Sequence, residues 1–327
     1  MSTTIHQAND EIVRYLALTG ADDEQWTDVA AIRRLARRRA IEAQAPPARG
    51  VRVEDIAIDG IATRSYRPAS ATEEAVVWVH GGGWVHGDLD SYDGLCRDLA
   101  VAARCLVLAV DYRLAPEAPF PAGLDDVVAV LRWAGARYAS VAVAGDSAGG
   151  NLAAATCLRA RDLEIEIAHQ VLVYPVLDHA DTDFTKRFRE EYESFAGRHG
   201  FGREAFDRIA WLWDQYDPGH RYRDLPLASP LRAHDLSGLP PATVILAEHD
   251  VLRGDGEEYA RRLSEAGVPT RLEVYDGQIH GFFQLTAVTP DARSAIDVAA
   301  TELRASFDRR TSTQPSAREP QAGEEKR

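Results

Sequence analysis

SVAVAGDSAGGN, residues 140–151, decides how the rest of the chain is read. Its first half is a short apolar run of the kind expected for a strand buried on both faces of a parallel sheet. Its second half opens SAGGNLAAATCLRA (147–160), a small-residue helix. Between them, Gly145-Asp146-Ser147-Ala148-Gly149 fits G-x-S-x-G in the strand–turn–helix setting where that motif carries a nucleophilic serine. A turn this tight strains the serine backbone, so its neighbours must be small, and Gly145, Ala148, Gly149 and Gly150 are. The turn lifts the Ser147 hydroxyl above the sheet and puts the Ala148 N–H at a helix N-terminus. A glycine-rich turn without chemistry is the plainer reading of the motif; its setting favours the nucleophile.

Outward from this stretch the same rhythm repeats. EAVVWVH (74–80), CLVLAV (105–110), QVLVYPV (170–176), ATVILAE (242–248) and TRLEVYD (270–276) read as further strands, with helical patterns at 91–103, 121–136, 147–161, 252–266 and 291–308. VRVEDIAID and IATRSYRP, from 51 to 68, read as an antiparallel pair. Strands alternating with helices predict an open α/β sheet, mostly parallel and flanked by helices: the α/β-hydrolase fold once the serine turn is included.

The partners of a nucleophilic serine follow by position. His80-Gly81-Gly82-Gly83-Trp84 follows the strand EAVVWVH, and its glycines let backbone N–H groups approach a ligand. As an oxyanion hole, Gly82 and Gly83 would donate together with Ala148. A phosphate loop fits poorly, because G-x-G-x-x-G from Gly81 would need glycine where His86 stands. His80 reads as a loop-fixing hydrogen bonder. In this fold the order is serine, acid, histidine. Of the histidines after Ser147, only His280, in GQIHGFF past a late strand, has a suitable acid before it. That acid is Asp250 or Asp178, each at a strand end; Asp250 is preferred because its strand lies nearest the His280 loop in sequence. Asp255 and Glu248 are expected to be structural.

The chain has 327 residues, 45% hydrophobic, enough for one large domain or for one domain with an accessory lid. A net charge of −14 argues against nucleic acid as a partner. Cys96, Cys105 and Cys157 give neither a disulfide framework nor a metal signature and read as core residues. The start, MSTTIHQANDEIVRYLALTG, lacks a basic leader before a long apolar run, and no stretch approaches the roughly 18–20 apolar residues of a membrane span. A soluble cytoplasmic protein is expected.

Residues 1–48 read as two amphipathic cap helices, the first capped by Asn9 or Asp10, the second by Thr27 and stopped by Pro46. Arg33, Arg34, Arg37, Arg38 and Arg39 read as a solvated face of the second. The catalytic core is expected at 49–178 and 226–308. Between Asp178 and Pro241 no core-type strand occurs, and 179–225 reads as a cap insertion: irregular DTDFTKRFREEYES, then an aromatic helix at 203–216. That helix's Phe206, Ile209, Trp211, Leu212 and Trp213 are expected to meet the N-terminal helices. Residues 309–327 read as a disordered tail.

Taken together, HGGGW (80–84), DYRLAPE (111–117), GDSAGGN (145–151), HDVLRGDGEEYA (249–260) and IHGFF (279–283) resemble, in order and spacing, the hormone-sensitive lipase family, the bacterial family IV carboxylesterases. The resemblance covers roughly residues 50–308. It implies an α/β-hydrolase core under a helical cap, no cofactor and short to medium acyl esters as substrates. It places Ser147, Asp250 and His280 in the triad, Gly82, Gly83 and Ala148 in the oxyanion hole, and Arg113 and Glu117 as supports. Two positions depart from the family: Gln278 stands where an apolar residue is usual, and His86 where an aliphatic one is common. Both flank the expected site, so a more polar ester is expected; Trp84, His86, Trp211 and Gln278 are the expected pocket lining. Two other classes stay open. One is a biosynthetic acyltransferase, lyase or amide hydrolase reusing the triad. The other is a ligand receptor, which would be expected to lose a triad member. The oligomeric state is open too, a homodimer included.

Overall fold

The structure, a computed structural model, describes residues 8–19, 28–199 and 205–313. Its strands are β1 (Val51–Ile58), β2 (Ile61–Pro68), β3 (Glu74–Val79), β4 (Leu106–Val110), β5 (Ser140–Asp146), β6 (Gln170–Val173), β7 (Ala242–His249) and β8 (Thr270–Ile279). Its helices are α1 (Asp10–Thr19), α2 (Val29–Glu42), α3 (Asp93–Ala103), α4 (Ala122–Gly135), α5 (Ala148–Asp162), α6 (Lys186–His199), α7 (Ala205–Tyr216), α8 (Arg253–Glu265) and α9 (Pro290–Thr313). Among the described residues, no helix is long and apolar enough to cross a membrane.

One sheet holds all eight strands in the order β1-β2-β4-β3-β5-β6-β7-β8. β1 and β2 form the expected antiparallel hairpin, and β2 meets β4 antiparallel. From β4 onward every pairing is parallel. The apolar runs follow from burial of both faces. On β3, Ala75, Val77 and Val79 share one core cluster with Leu124 and Leu152 of α4 and α5. Val76 and Trp78 pack on the other side with Leu95, Leu99 and Leu303 of α3 and α9. Burying each Val or Leu contributes about 1.5–3 kcal/mol. The three cysteines are buried and unpaired. β3 pairs with β4 on one side and β5 on the other, so the chain reverses direction across the sheet here; the loops leaving β3 and β5 open side by side at this switch point.

Several expectations are corrected. β6 stops at Val173, because Tyr174 turns to φ +32° and Pro175 lacks an N–H for the ladder. α6 forms where irregular sequence was expected. Residues 309–313, expected to begin a tail, continue α9, and 314–327 lie outside the described residues. Thr27 also lies outside them; α2 is capped by Asp28, whose Oδ1 accepts from Ala30 N (2.9 Å) and Ala31 N (3.1 Å). The arginine face of α2 is not simply solvated. Arg33 Nε donates to Val85 O (2.8 Å) and its guanidinium pairs with Glu117 (2.7 Å), while Arg37 pairs with Asp88 (3.1 Å) and Asp90.

Among the described residues, the aromatic helix also finds a different partner. α7 lies on the loop after β3, with Trp213 and Tyr216 against Trp84 at 4.7 and 4.2 Å between ring centres. α1 instead packs Ile12 against Phe195 of α6 and against Ile279 and Leu285. Apolar spacing marks which face of a helix is buried, not what buries it.

Candidate active site

Ser147 leaves β5 with φ 54° and ψ −118°, a conformation costing a non-glycine residue of order 1–3 kcal/mol. The neighbouring chain holds it there: Ser147 N donates to Val173 O (2.9 Å), and its carbonyl accepts from Asn151 N (3.0 Å). The small neighbours are required, since a Cβ on Gly149 would overlap Val79 O and one on Gly150 would lie 2.9 Å from Pro175.

β8 ends at Ile279, so His280 is the first residue past the strand, and Gly281 turns the chain away at φ +86°. The imidazole lies between two partners: Nε2 is 3.0 Å from Ser147 Oγ and Nδ1 is 2.7 Å from Asp250 Oδ2. Asp250, at the end of β7, is buried, and its other oxygen accepts from Leu252 N (2.8 Å). Burial pushes the His280 pKa down. The Asp250 carboxylate, by charge and hydrogen bond, and then Asp146, by charge, outweigh it, so the imidazole titrates above its ordinary value. Asp178, the other acid considered, is held elsewhere, accepting from Arg232 Nε (2.9 Å) and from the N–H groups of His179 and Ala180. Asp255 accepts from Leu177 N (2.8 Å), and burial pushes its carboxyl up to about 7; Glu248 accepts from Gly277 N (2.8 Å). Arg113 pairs with Asp126 (2.7 Å), and Glu117 with Arg33.

The glycine loop folds back on itself. Gly82 (φ +119°) accepts at its carbonyl from Val85 N and His86 N, both at 3.0 Å, and a Cβ there would overlap His86 O. Among the described residues, none accepts a hydrogen bond from the N–H of Gly82, Gly83 or Ala148. His80 Nδ1 donates to Gly81 O (2.8 Å), and its ring stacks on Tyr112 at 4.4 Å. Burial pulls its pKa down to about 4, which leaves it neutral.

The expected pocket residues divide. Trp211 is half-buried on α7. His86 is half-buried behind the glycine loop, and burial pulls its pKa down to about 4. Trp84 is a correction: its indole is packed away in the core between Trp213 and Tyr216, where it supports the loop. Gln278 is a second correction. It is fully buried, and its Nε2 donates to Thr289 Oγ1 (3.0 Å) and Asp291 Oδ2 (2.7 Å), joining β8 to the start of α9. The case it made for a more polar ester lapses with it.

Sequence reasoning passed over Asp146, Tyr92, Gln284 and Tyr174. Asp146 Oδ1 accepts from Gly81 N (2.9 Å), and Oδ2 accepts from Tyr92 OH (2.9 Å) and Gln284 Nε2 (3.2 Å). The Tyr174 ring lies 4.6 Å from that of His280. The available signal was a carboxylate inside G-x-S-x-G, where small or neutral residues would suffice.

A family model described as the alpha/beta hydrolase fold matches residues 76–284. Esterase LipI of Mycobacterium tuberculosis is 39% identical over 274 residues, 78% of this chain and 82% of its own. Carboxylesterase NlhH of the same organism is 39% identical over 284 residues, 80% of this chain and 85% of its own. A solved esterase structure from Pyrobaculum calidifontis matches with a TM-score of 0.81 at 36% identity, over 91% of this chain and 98% of that one. The matched residues include the serine turn, the glycine loop, Asp250 and His280, and the chain belongs to the α/β-hydrolase-fold family, in its hormone-sensitive-lipase-like group of carboxylesterases.

Proposed function

We propose that this protein hydrolyses carboxylic esters of small molecules carrying short to medium acyl groups, through an acyl-enzyme on Ser147. The observation that carries the reading is one imidazole within hydrogen-bonding distance of both Ser147 Oγ (3.0 Å) and a buried Asp250 carboxylate (2.7 Å). In that arrangement Ser147 attacks the acyl carbon while neutral His280 takes its proton. Asp250 holds the tautomer that leaves Nε2 free to accept and stabilises the imidazolium that forms. The N–H groups of Gly82, Gly83 and Ala148 receive the oxyanion. His280 returns the proton to the leaving alcohol, and water, activated by the same imidazole, clears the acyl group. No cofactor enters these steps.

Residues 1–48 and 179–225 are read as the cap over a core made of 49–178 and 226–308. Leu212 of α7 supports this: it lies against Gly83, where a Cβ would come within 2.5 Å of it, and so walls the oxyanion side of the site. Three buried, unpaired cysteines suit a reducing compartment, the cytoplasm. The test is turnover of p-nitrophenyl acetate, butyrate and octanoate by the wild type and by Ser147→Ala. The substitution should leave the circular dichroism spectrum unchanged and lower turnover on the order of 10⁴–10⁶-fold. A folded variant that keeps most of its turnover overturns the reading.

A further inference from the structure

We infer that Asp146 is a positioning residue: one buried carboxylate holds the glycine loop, the serine turn and the histidine loop in register, and its charge acts on His280. The inference rests on the roles proposed above for Ser147 and His280.

Each of the three loops reaches the same side chain. The serine turn carries it, one residue before Ser147. The glycine loop donates to Oδ1 through Gly81 N (2.9 Å). The histidine loop donates to Oδ2 through Gln284 Nε2 (3.2 Å), from the short Phe282–Gln284 turn that follows His280. Tyr92, just ahead of α3, completes the set: its hydroxyl donates to Oδ2 (2.9 Å), accepts from Gly81 N (2.9 Å) and accepts from Gln284. All partners of the carboxylate are donors, which suits an acceptor-only anion. Asp146 is 2% exposed, and a Cβ on Gly81 would sit 2.6 Å from its Oδ2, so the loop can close on it only as glycine.

The charges around it follow one pattern. Tyr92, Tyr112, Tyr174 and Cys96 all face Asp146, and burial first, with its negative charge adding, pushes each of them well above its ordinary value, so all stay neutral. Burial raises Asp146 itself to about 6, against the pull of its three donors and His280. Around His280 stand Asp250 from β7, Asp146 from β5 and the neutral Tyr174 after β6. Two carboxylates therefore stabilise the imidazolium, only one of them by direct contact. A buried anion that merely filled space would be replaced by a neutral side chain without consequence for the base.

The test compares wild type with Asp146→Asn, Asp146→Ala and Tyr92→Phe. It follows kcat and KM for p-nitrophenyl butyrate against pH, normalised to active sites counted by fluorophosphonate labelling. Asp146→Asn keeps an acceptor for Gly81 but loses the charge, so the imidazolium is less stabilised and the acid limb of kcat/KM moves to lower pH. Asp146→Ala leaves Gly81 N with Tyr92 OH alone and unties that hydroxyl from the serine turn, and kcat per labelled site falls roughly 10²-fold with KM changed less than about threefold, the cost expected of a misplacement near 1 Å. Tyr92→Phe lowers kcat in the same direction by less. An acid limb for Asp146→Asn that coincides with wild type, or variants whose losses vanish on normalisation to labelled sites, overturns the inference. If Asp146→Ala does not fold, the limb of Asp146→Asn and the kcat of Tyr92→Phe decide it. A wild type that turns over ester without labelling at Ser147 would instead sink the nucleophile assignment.

Discussion

Below the proposed substrate position, Ser147, Gly82 and Gly83 stand on loops leaving strands buried on both faces, and His280 follows the buried end of the edge strand β8; above it, α6 and α7 bury only Phe188, Phe195, Ala196, Trp213 and Tyr216 among their described side chains. The two regions are held by different means. In the floor, backbone fixes backbone: the Ser147 turn is pinned to Val173, the glycine loop closes on His86, and added methyl groups at Gly82 or Gly149 would collide with carbonyl oxygens. In the roof, aromatic faces and ion pairs fix helices, as with Trp84 on Tyr216 and Arg189 beside Glu193. Packing of side chains tolerates exchange, whereas backbone geometry at a strained turn does not. Floor changes should therefore abolish chemistry, and roof changes should redirect it.

Asp250→Asn should strain this contrast most. With an amide in place of the carboxylate, His280 can adopt the wrong tautomer, a loss worth roughly 10⁴ in kcat in a serine protease. Asp178→Asn, in the loop after β6 and paired with Arg232, should change kcat less than about tenfold and mainly lower the melting temperature. Steady-state kinetics and thermal melts on both variants would show it; the reverse ranking would move the acid to Asp178.

The pH profile comes next in size. His280 acts as base only when neutral, and its pKa is raised, so activity should climb with pH through a midpoint above the ordinary histidine value of about 6.5. Well below that midpoint each unit of pH should lower kcat/KM about tenfold. A flat profile from about pH 5 to 9 would contradict the base assignment.

The roof should give the smallest effect. Leu212→Ala removes the side chain against Gly83, and the octanoate-to-acetate ratio of kcat/KM should rise, by up to roughly tenfold, the low end of what one methylene is worth in an apolar pocket. Acetate turnover should stay within about threefold. An unchanged ratio with a lowered melting temperature would make Leu212 a packing residue only.

The same contrast explains what the sequence disclosed. The floor was legible because its chemistry demands residue types at fixed spacings: glycines at φ +119° and +58°, a serine between small neighbours, a histidine just past a late strand. Burial on both faces made the strands legible as apolar runs. The roof was not. KRFREEYESFAGRH looks solvated because most of its residues are charged or polar, yet Phe195, clustered with Ile12 and Ile279 and stacked on His249 at 3.8 Å, helps tie the helix down. Gln278 misled for the opposite reason: a polar residue two places from His280 suggested a ligand, whereas it is a buried amide whose Nε2 donates to Thr289 and Asp291. Partners 11 and 13 residues away cannot be read from one position's type.

The most direct measurement is peptide mapping by mass spectrometry after reaction with a fluorophosphonate, with residual ester turnover followed in the same samples. The label should fall on the peptide containing Ser147, at one per chain, with turnover lost in proportion, and should be absent from Ser147→Ala. Label on a different residue, or undiminished turnover in fully labelled protein, would contradict a mechanism through Ser147.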